Sequence, residues 1–246
     1  MGQHDQLVWL FGRGASVACG LTWTPSNELM DKLMSLDQSE RAQRIREMVA
    51  VEMDKPGVCT SPYRHLLTDL AERTGRGKHH CFFTTNWDEL LEREIDAKLG
   101  FGGYTPAWLP DTHVFHLNGT LEAQNDRRSP ILTERDTANA RTVSLEFNMA
   151  IADVIWSQRF VVVGMSFTCP TDRAFLGFLR SIRDKVPAGC SRWVVVNPDE
   201  ATAREVAGRI LGALPKSRVR LALATFEDWL SSGMLELVDA GVLRGR

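Results

Sequence analysis

The sequence lacks an excess of charge of either sign, because 29 lysines and arginines are balanced by 31 aspartates and glutamates among its 246 residues. Domains that bind nucleic acids generally carry a basic surface. One short basic run, RTGRGKHH at 73–80, is present, and we interpret it as a solvated loop. We therefore expect no direct binding of nucleic acid.

Long apolar runs and paired cysteines are also missing. No stretch approaches the roughly 18 apolar residues that a membrane helix needs. The opening MGQHDQLVWLFGRGAS has only a short apolar run, which glycines interrupt, unlike a signal peptide. The five cysteines are scattered and form no CxxC pair, which argues against a zinc ribbon and a disulfide framework. We expect a cytoplasmic protein without membrane contacts or a bound zinc ion.

Short apolar runs alternate with helical patterns along the chain. Buried strands are indicated by the apolar runs in QLVWLFGRGAS at 6–16, RFVVVGMS at 159–166 and SRWVVVNPD at 191–199. The segment SNELMDKLMSL at 26–36 has helical spacing, with Ser26 as a candidate N-cap. This alternation predicts an α/β fold with a parallel sheet. We expect the helical stretches at 26–74 and about 121–157 to form a smaller helical layer beside the sheet.

Small or polar residues follow each of five predicted strands. These segments are GRGAS (12–16), TTNWD (84–88), HLNGT (116–120), GMSFTCPTD (164–172) and NPD (197–199). Ligands of open α/β sheets bind at the carboxyl ends of the strands. The five segments together therefore predict a composed ligand site at one edge of the sheet.

Two of these segments have both a functional and a structural interpretation. Gly12 and Gly14 allow backbone N–H groups to approach a pyrophosphate, or they form a plain strand-to-helix turn. Asn86 can orient a water molecule or a ribose hydroxyl, and Asp88 can stabilise developing positive charge. The structural alternative is a helix N-cap and a carboxylate that interacts with the helix dipole.

Taken together, these motifs resemble those of the sirtuin superfamily. FGRGASVACGL (11–21) resembles its GAGxS opening, FFTTNWDELLE (82–92) its TQNxD or TTNxD motif, and HLNGT its LHGS strand end. VVVGMSFTCPTDRAF (161–175) is similar to the VVGYSxxD strand of bacterial sirtuin-like domains. VVVNPD (194–199) is similar to the adenosine-side strand end, and FEDWL (226–230) to a common tail. The order and spacing agree from about residue 7 to about residue 200.

The resemblance implies a Rossmann-like parallel sheet flanked by helices, with a small helical subdomain formed by insertions. We expect one sirtuin-like domain over 1–246. Its Rossmann-like core would comprise about 5–24, 78–120 and 158–246, and its helical subdomain about 25–77 and 121–157. The resemblance also implies that the protein binds NAD, as a substrate.

The matched motifs carry expected roles in NAD binding. GRGAS would hold the pyrophosphate, and TTNWD would lie at the nicotinamide ribose. GMSFTCPTD would line the phosphate and ribose region, and NPD would lie at the adenosine ribose. The residues concerned are, in that order, Gly12, Arg13, Gly14, Ala15 and Ser16; Thr85, Asn86 and Asp88; Gly164 and Ser166; and Asn197. Arg13 replaces a small residue of the motif, and it would either contact a phosphate or point to solvent.

One departure from the family concerns zinc. Sirtuin deacylases usually carry a four-cysteine zinc module, which this sequence lacks. The departure argues against protein deacylation and favours the sirtuin-like branch that cleaves NAD, often in bacterial antiviral defence. Deacylation or ADP-ribosyl transfer is the less favoured alternative.

The second departure is Asn118, which aligns with the histidine of the LHGS motif. That histidine is regarded as the general base that acts on the ribose. A neutral amide accepts no proton at physiological pH, whereas an imidazole does. Three accounts are open. Asn118 marks a protein that binds NAD but barely turns it over, His116 serves as the base, or the chain carries an introduced His-to-Asn change.

His116 lies two residues before Asn118 on the same predicted strand, so the two side chains face the same side. A strand histidine that only makes a hydrogen bond is the simpler interpretation of His116. The leading hypothesis is an NAD hydrolase that gives nicotinamide and ADP-ribose. It would act as an effector in bacterial anti-phage defence through NAD depletion, activated by a protein partner or by oligomerisation. The alternative is a non-catalytic regulatory subunit that binds NAD or ADP-ribose in a larger complex.

Overall fold

The computed structural model describes residues 7–22, 26–74, 80–99, 113–116, 159–168, 170–184 and 191–233. Six strands in this part of the chain form one parallel sheet. In chain order the strands are β1 (Leu7–Phe11), β2 (His80–Thr84), β3 (His113–His116), β4 (Arg159–Val163), β5 (Arg192–Val196) and β6 (Arg218–Ala222). Every strand predicted from an apolar run that falls within the described residues is confirmed.

Eight helices connect and cover these strands within the described ranges. They are α1 (Arg13–Ala18), α2 (Asn27–Ser35), α3 (Gln38–Met53), α4 (Ser61–Thr74), α5 (Leu90–Leu99), α6 (Pro170–Ile182), α7 (Glu200–Ala213) and α8 (Phe226–Ser232). None of the described helices is both long and apolar enough to cross a membrane. The helical stretch predicted for about 121–157 lies outside the described residues.

The sheet order is β3-β2-β1-β4-β5-β6, and all neighbours run parallel. β2 and β3 therefore lie on one side of β1. The chain then crosses back, and β4, β5 and β6 lie on the other side of β1. Crevices open at such a switch point, beyond the carboxyl ends of the two central strands. β1 pairs with β4 in the register Phe11 with Val163, so Gly12 and Gly164 come next to each other. This order confirms the Rossmann-like parallel sheet.

Local side-chain caps set several helix starts. The Ser26 hydroxyl accepts a hydrogen bond from the Leu29 N–H at 3.2 Å, as its N-cap prediction requires. α5 begins at Leu90, and the Asp88 side chain accepts a hydrogen bond from the Leu90 N–H at 3.3 Å. This contact spans two residues and forms an Asx turn just before the helix.

Both faces of β1, β4 and β5 are buried, which explains why these strands consist almost entirely of apolar residues. The first face carries Trp9 and Phe11 of β1. Phe11 contacts the ring of Tyr63 from α4, with ring centroids 5.4 Å apart, and Trp9 contacts Trp229 from α8 at 6.3 Å. The second face carries Val8, Leu10, Val162 and Val195 under buried side chains of α6 and α7, among them Phe175, Val206 and Ile210.

The helical stretch between β1 and β2 comprises α2, α3 and α4. Its buried side chains belong to the same apolar cluster as the first face of the sheet, and they include Leu33, Ile45, Val49 and Leu66. This helical stretch therefore shares one apolar core with the sheet that carries the strand ends, and α4 contacts β1 through Tyr63 and Phe11. The boundaries of a separate helical subdomain stay a prediction.

Candidate functional site

Three strand ends converge at the switch point of the sheet. β1, β2 and β4 are neighbours, so the residues that follow them meet at the carboxyl edge. A cavity of about 200 Å³ opens there. Its walls are Gly12, Arg13, Thr85, Asn86, Gly164, Met165, Ser166 and Asp172. Six of these residues were predicted as site residues from three separate motifs, and the fold brings them together.

Close backbone packing explains the glycines beside this cavity. Gly12 N–H donates to Val163 O and Gly14 N–H donates to Gly164 O, both at 2.9 Å. A Cβ on Gly14 would lie 2.6 Å from Cα of Gly164, which is too close for any other residue. Gly164 has φ +59°, a conformation that favours glycine. The turns that follow β1 and β4 therefore pack against each other. The N–H groups of Gly12 and Gly14 both donate to carbonyl oxygens of the β4 end.

Hydrogen bonds from its side chain and its backbone hold Asn86 at the cavity wall. Its side-chain Nδ2 donates to Gly12 O at 3.0 Å and to the Ser16 hydroxyl at 2.7 Å. Its backbone N–H donates to the Thr84 hydroxyl at 3.0 Å. The neighbouring Thr85 N–H donates to Phe11 O at 2.9 Å, which ties the end of β2 to the end of β1. The side chain of Asn86 is thus oriented before any ligand arrives.

Ser16 and Asp88 lie beneath the wall of the cavity. Ser16 is 3% exposed and Asp88 7% exposed. The Ser16 hydroxyl donates to Asp88 Oδ2 at 2.6 Å, a short distance typical of a charge-assisted bond. Ala15 is fully buried beside Ser16. The structure therefore brings Ser16 and Asp88 together with Asn86, but neither of the two lines the cavity.

The charge of Asp88 acts on two buried acids nearby. Burial raises the pKa of Cys19, and the negative charge of Asp88 raises it further. Burial also raises the pKa of Tyr63, Asp88 adds to the shift, and a hydrogen bond with the Ser16 side chain opposes it. Both groups are therefore neutral at physiological pH.

Arg13 supplies a cation at the cavity. It is exposed, it belongs to the cavity wall, and its Nη2 donates to Thr22 O at 3.4 Å. Of the two positions predicted for Arg13, the structure shows a guanidinium that both lines the cavity and reaches solvent. A planar guanidinium in this position suits a phosphate oxygen.

Ser166 stands in the turn after β4, next to a left-handed residue. Its hydroxyl hydrogen-bonds with the Thr168 hydroxyl at 2.7 Å, and Arg209 of α7 donates to its carbonyl oxygen. Phe167 has φ +57°, which is unusual for a bulky residue. Its ring is buried and stacks on Phe175 at 6.4 Å. Packing and the Arg209 contact therefore hold the Ser166 turn in a conformation that the backbone alone disfavours.

The predicted adenosine-side residue has a local structural role. The Asn197 side-chain oxygen accepts a hydrogen bond from the Asp199 N–H at 2.9 Å, and the Asn197 N–H donates to Ala222 O at 3.0 Å. This is the geometry of an Asx turn at the end of β5. Asn197 is half-buried and lies outside the cavity wall. Its contact with a ligand stays a prediction.

β3 contains His116, the alternative candidate for the catalytic base. It pairs with β2 in the register Thr84 with His116, so the backbone of His116 ends β3 directly beside the end of β2. The strand therefore runs toward the same edge as the cavity. Asn118 lies outside the described residues.

The motif analysis did not single out Asp172. It belongs to the first turn of α6, it is 3% exposed, and it lines the cavity with Arg13 and Asn86. The signal in the sequence is the last residue of GMSFTCPTD, an acidic residue at the start of the helix after β4. That position also suits a helix dipole, and only the tertiary structure turns it toward the cavity.

Comparisons with known proteins agree with this architecture. The sequence profile of the SIR2-like domain matches residues 80–212, which is more than half of the chain. The chain belongs to the SIR2-like domain family. No curated protein sequence matches it significantly.

A solved Sir2 structure shares the fold of this SIR2-like domain. This structure, from a study of the mechanism and regulation of Sir2 enzymes, is 15% identical and superposes with a TM-score of 0.50 over 96% of this chain and 93% of that chain. Another, a Sir2 variant with a deacetylated p53 peptide and 3′-O-acetyl-ADP-ribose, is 16% identical with a TM-score of 0.44, over 97% and 94%. In the described part of the SIR2-like domain, no group of three or more His, Cys, Asp or Glu side chains is placed to hold a metal ion.

Proposed function

We propose that this SIR2-like domain binds NAD at the switch-point cavity and hydrolyses it to nicotinamide and ADP-ribose. The observation that carries the proposal is the fixed side chain of Asn86. Hydrogen bonds to Gly12 O and Ser16 hold it at the wall of a cavity that Arg13 also lines. An amide and a guanidinium on one wall suit a ribose and a phosphate, respectively.

The chemistry of the wall fits part of a dinucleotide. Thr85, Asn86 and Ser166 offer hydroxyl and amide groups, Asp172 offers a carboxylate for hydroxyl donors, and Arg13 offers a cation. The volume of about 200 Å³ is below the roughly 300–1,000 Å³ of pockets that enclose whole small molecules. We therefore propose that the described residues bind the ribose and phosphate portion of NAD.

Cleavage of the bond between the ribose C1′ and nicotinamide passes through an oxocarbenium-like state. In this proposal, the side-chain oxygen of Asn86 faces the positive charge that develops on the ribose, or it orients the attacking water. Asp88 contributes a negative charge from beneath the wall. General-base help typically contributes roughly 10² to 10⁴-fold. With Asn118 in the position of the family histidine, we expect weak turnover by the chain alone.

A role as an anti-phage effector completes the proposal. Its support is the resemblance to NAD-cleaving bacterial sirtuin-like domains and the lack of zinc-module cysteines in the sequence. Weak basal turnover suits such an effector, because uncontrolled NAD depletion would harm the host cell. We propose that a protein partner or oligomerisation raises the activity.

Asn118 favours a second candidate, a regulatory subunit that binds NAD or ADP-ribose without turnover. Calorimetric titration with NAD, followed by a nicotinamide-release assay, separates the two candidates. Binding without release, by the chain alone and by the assembly in which it is found, supports the regulatory subunit. Absence of NAD binding contradicts both.

Two substitutions test the hydrolase directly. Asn86→Ala should abolish nicotinamide release, whereas Asn118→His should raise it by about 10²-fold by restoring an imidazole base. Gln43→Ala, which removes an exposed amide on α3, is the control and should match the wild type. Equal release by Asn118→His and the wild type under activating conditions would show that no base was lost at this position.

A further inference from the structure

The turn after β4 contains a strained residue directly beside the cavity wall. Phe167 has φ +57°, a left-handed conformation that is disfavoured for a bulky side chain. Ser166, which precedes it, lines the cavity. A residue persists in such a conformation only when its surroundings over-determine it. The contacts of these two residues therefore show what holds this part of the wall in place.

Packing fixes the side chain of Phe167. Its ring is 1% exposed and stacks on Phe175 of α6, with ring centroids 6.4 Å apart. If the peptide between Ser166 and Phe167 turned over as a planar unit, its C=O and N–H groups would exchange directions while the flanking Cα atoms stayed nearly in place. The same rotation would bring φ of Phe167 to a negative value and relieve the strain. Ring packing alone therefore does not fix the direction of this peptide.

Arg209 of α7 contacts the peptide at its carbonyl group. Its Nη1 donates to the carbonyl oxygen of Ser166, and its Nη2 donates to Glu205 Oε1 on the same helix. Ser166 lines the cavity but Arg209 does not, so the guanidinium approaches the turn from outside the cavity wall. In a planar trans peptide the C=O and N–H groups point in opposite directions. Because the carbonyl oxygen points to Arg209, the Phe167 N–H is directed away from the guanidinium.

We propose that Arg209 is a positioning residue for the NAD site, and that it holds the peptide between Ser166 and Phe167 in its strained direction. Without the guanidinium, the relaxed peptide would present a carbonyl oxygen where the strained turn presents an N–H donor. NAD carries phosphate and ribose oxygens, which a carbonyl oxygen repels and an N–H donor attracts. The inference rests on the proposed function and adds a residue outside the cavity that decides the shape of its wall.

Calorimetric titration with NAD tests this role. Arg209→Met keeps most of the side-chain length but removes its donors. We expect the NAD dissociation constant to rise by about 5- to 30-fold, because the strain of one left-handed residue then favours the relaxed turn by a similar factor. Arg209→Lys keeps a donor for the carbonyl oxygen and should recover most of the affinity. Equal affinity of Arg209→Met and the wild type overturns the inference, and so does a lysine variant as weak as the methionine variant.

Arg204 provides a matched control on the same helix. It pairs with Glu200 four residues earlier, as Arg209 pairs with Glu205, but its hydrogen bonds go to Glu200 and not to the turn. Arg204→Met should change the NAD dissociation constant by less than about twofold, since exposed ion pairs contribute little. A loss of affinity as large as that of Arg209→Met would show that the ion pairs of α7 matter and the carbonyl contact does not.

The direction of the peptide can be followed by NMR without any ligand. Serine labelled with ¹³C at the carbonyl and phenylalanine labelled with ¹⁵N give one carbonyl–amide correlation, because Ser166 and Phe167 form the only serine–phenylalanine pair in the sequence. We expect Arg209→Met to shift or split this cross-peak and Arg204→Met to leave it unchanged. Weaker NAD binding by Arg209→Met with an unchanged cross-peak would mean that Arg209 contacts the ligand directly, which overturns the inference.

Thermal melting checks that each variant is folded, and Arg209→Ala replaces Arg209→Met if the methionine variant does not fold. Failure of the wild type to bind NAD overturns the proposed function as well. NAD binding that the loss of the guanidinium does not weaken overturns this inference alone.

Discussion

Gly164 shows how a single residue shapes the site. Its φ of +59° is disfavoured for a residue with a Cβ, and its Cα packs directly against the backbone of Gly14. The same residue donates its N–H to Val196 O at 3.2 Å, so it links β5 to the turn as well. One glycine therefore sets the distance between the turns that form two walls of the cavity.

We expect Gly164→Ala to lower the free energy of unfolding by about 2–4 kcal/mol, because left-handed strain and steric overlap add together. Urea unfolding followed by circular dichroism measures the change. The matched control is Gly177→Ala on α6, where nothing lies within 4 Å of an added Cβ. That change should stabilise the protein by about 0.5–1 kcal/mol, since alanine favours a helix. Equal effects of the two substitutions would contradict the packing role of Gly164.

Between elements, the contact of α4 with α5 depends on a buried carboxylate. Glu94 of α5 is 2% exposed and accepts hydrogen bonds from Arg64 of α4, the closest at 2.8 Å. The Thr60 hydroxyl donates to the same carboxylate at 2.5 Å. The Arg64 side chain is 62% exposed, so solvent screens part of the attraction. This contact therefore holds α4 against α5, the helix that follows Asn86 and Asp88.

Arg64→Ala should lower the midpoint of urea unfolding, because it removes the cation beside the buried carboxylate of Glu94. Addition of Glu94→Gln should recover part of that loss, since a neutral amide costs less to bury. Chemical denaturation of the single and double variants measures both effects. Arg204→Ala, which breaks an exposed pair with Glu200 on α7, serves as the control and should stay within about 0.5 kcal/mol. A double variant less stable than Arg64→Ala would contradict the burial argument.

Across the whole molecule, β1 joins the two halves of the core. Trp9 and Phe11 face α4 and α8, whereas Val8 and Leu10 face the layer that contains α6 and α7. All four side chains are fully buried. A change in one layer therefore reaches the other through the central strand. The switch-point cavity lies at the end of that same strand, so its geometry depends on both layers.

Trp229→Ala tests this coupling, because Trp229 is 1% exposed and packs on Trp9 at 6.3 Å. We expect a loss of about 3–5 kcal/mol. Hydrogen exchange should show weaker protection in β5 and α7 as well as in α4 and α8. Leu223→Ala, at a half-exposed position after β6, should leave protection nearly unchanged. Loss of protection confined to α4 and α8 would show that the layers unfold separately.

Much of the fold was already determined by the sequence. LVWLF is apolar at every position and RWVVV at every position after Arg192, and such runs form strands that are buried on both faces. Ser26 was identified as a cap because capping acts over three residues, within reach of a local pattern. The convergence of Gly12, Asn86 and Ser166 followed from the rule that parallel strands end at one edge.

Only the tertiary structure decided what those residues do at that edge. Ser16 and Asp88 are 72 residues apart in the chain, and no local pattern shows that one donates a hydrogen bond to the other. The cavity position of Asp172 and the mutual packing of Gly14 and Gly164 likewise depend on β1 lying beside β4. Periodicity and capping act along the chain over a few residues. The direction of a side chain and the partner of a hydrogen bond depend on segments that meet only when the sheet is assembled.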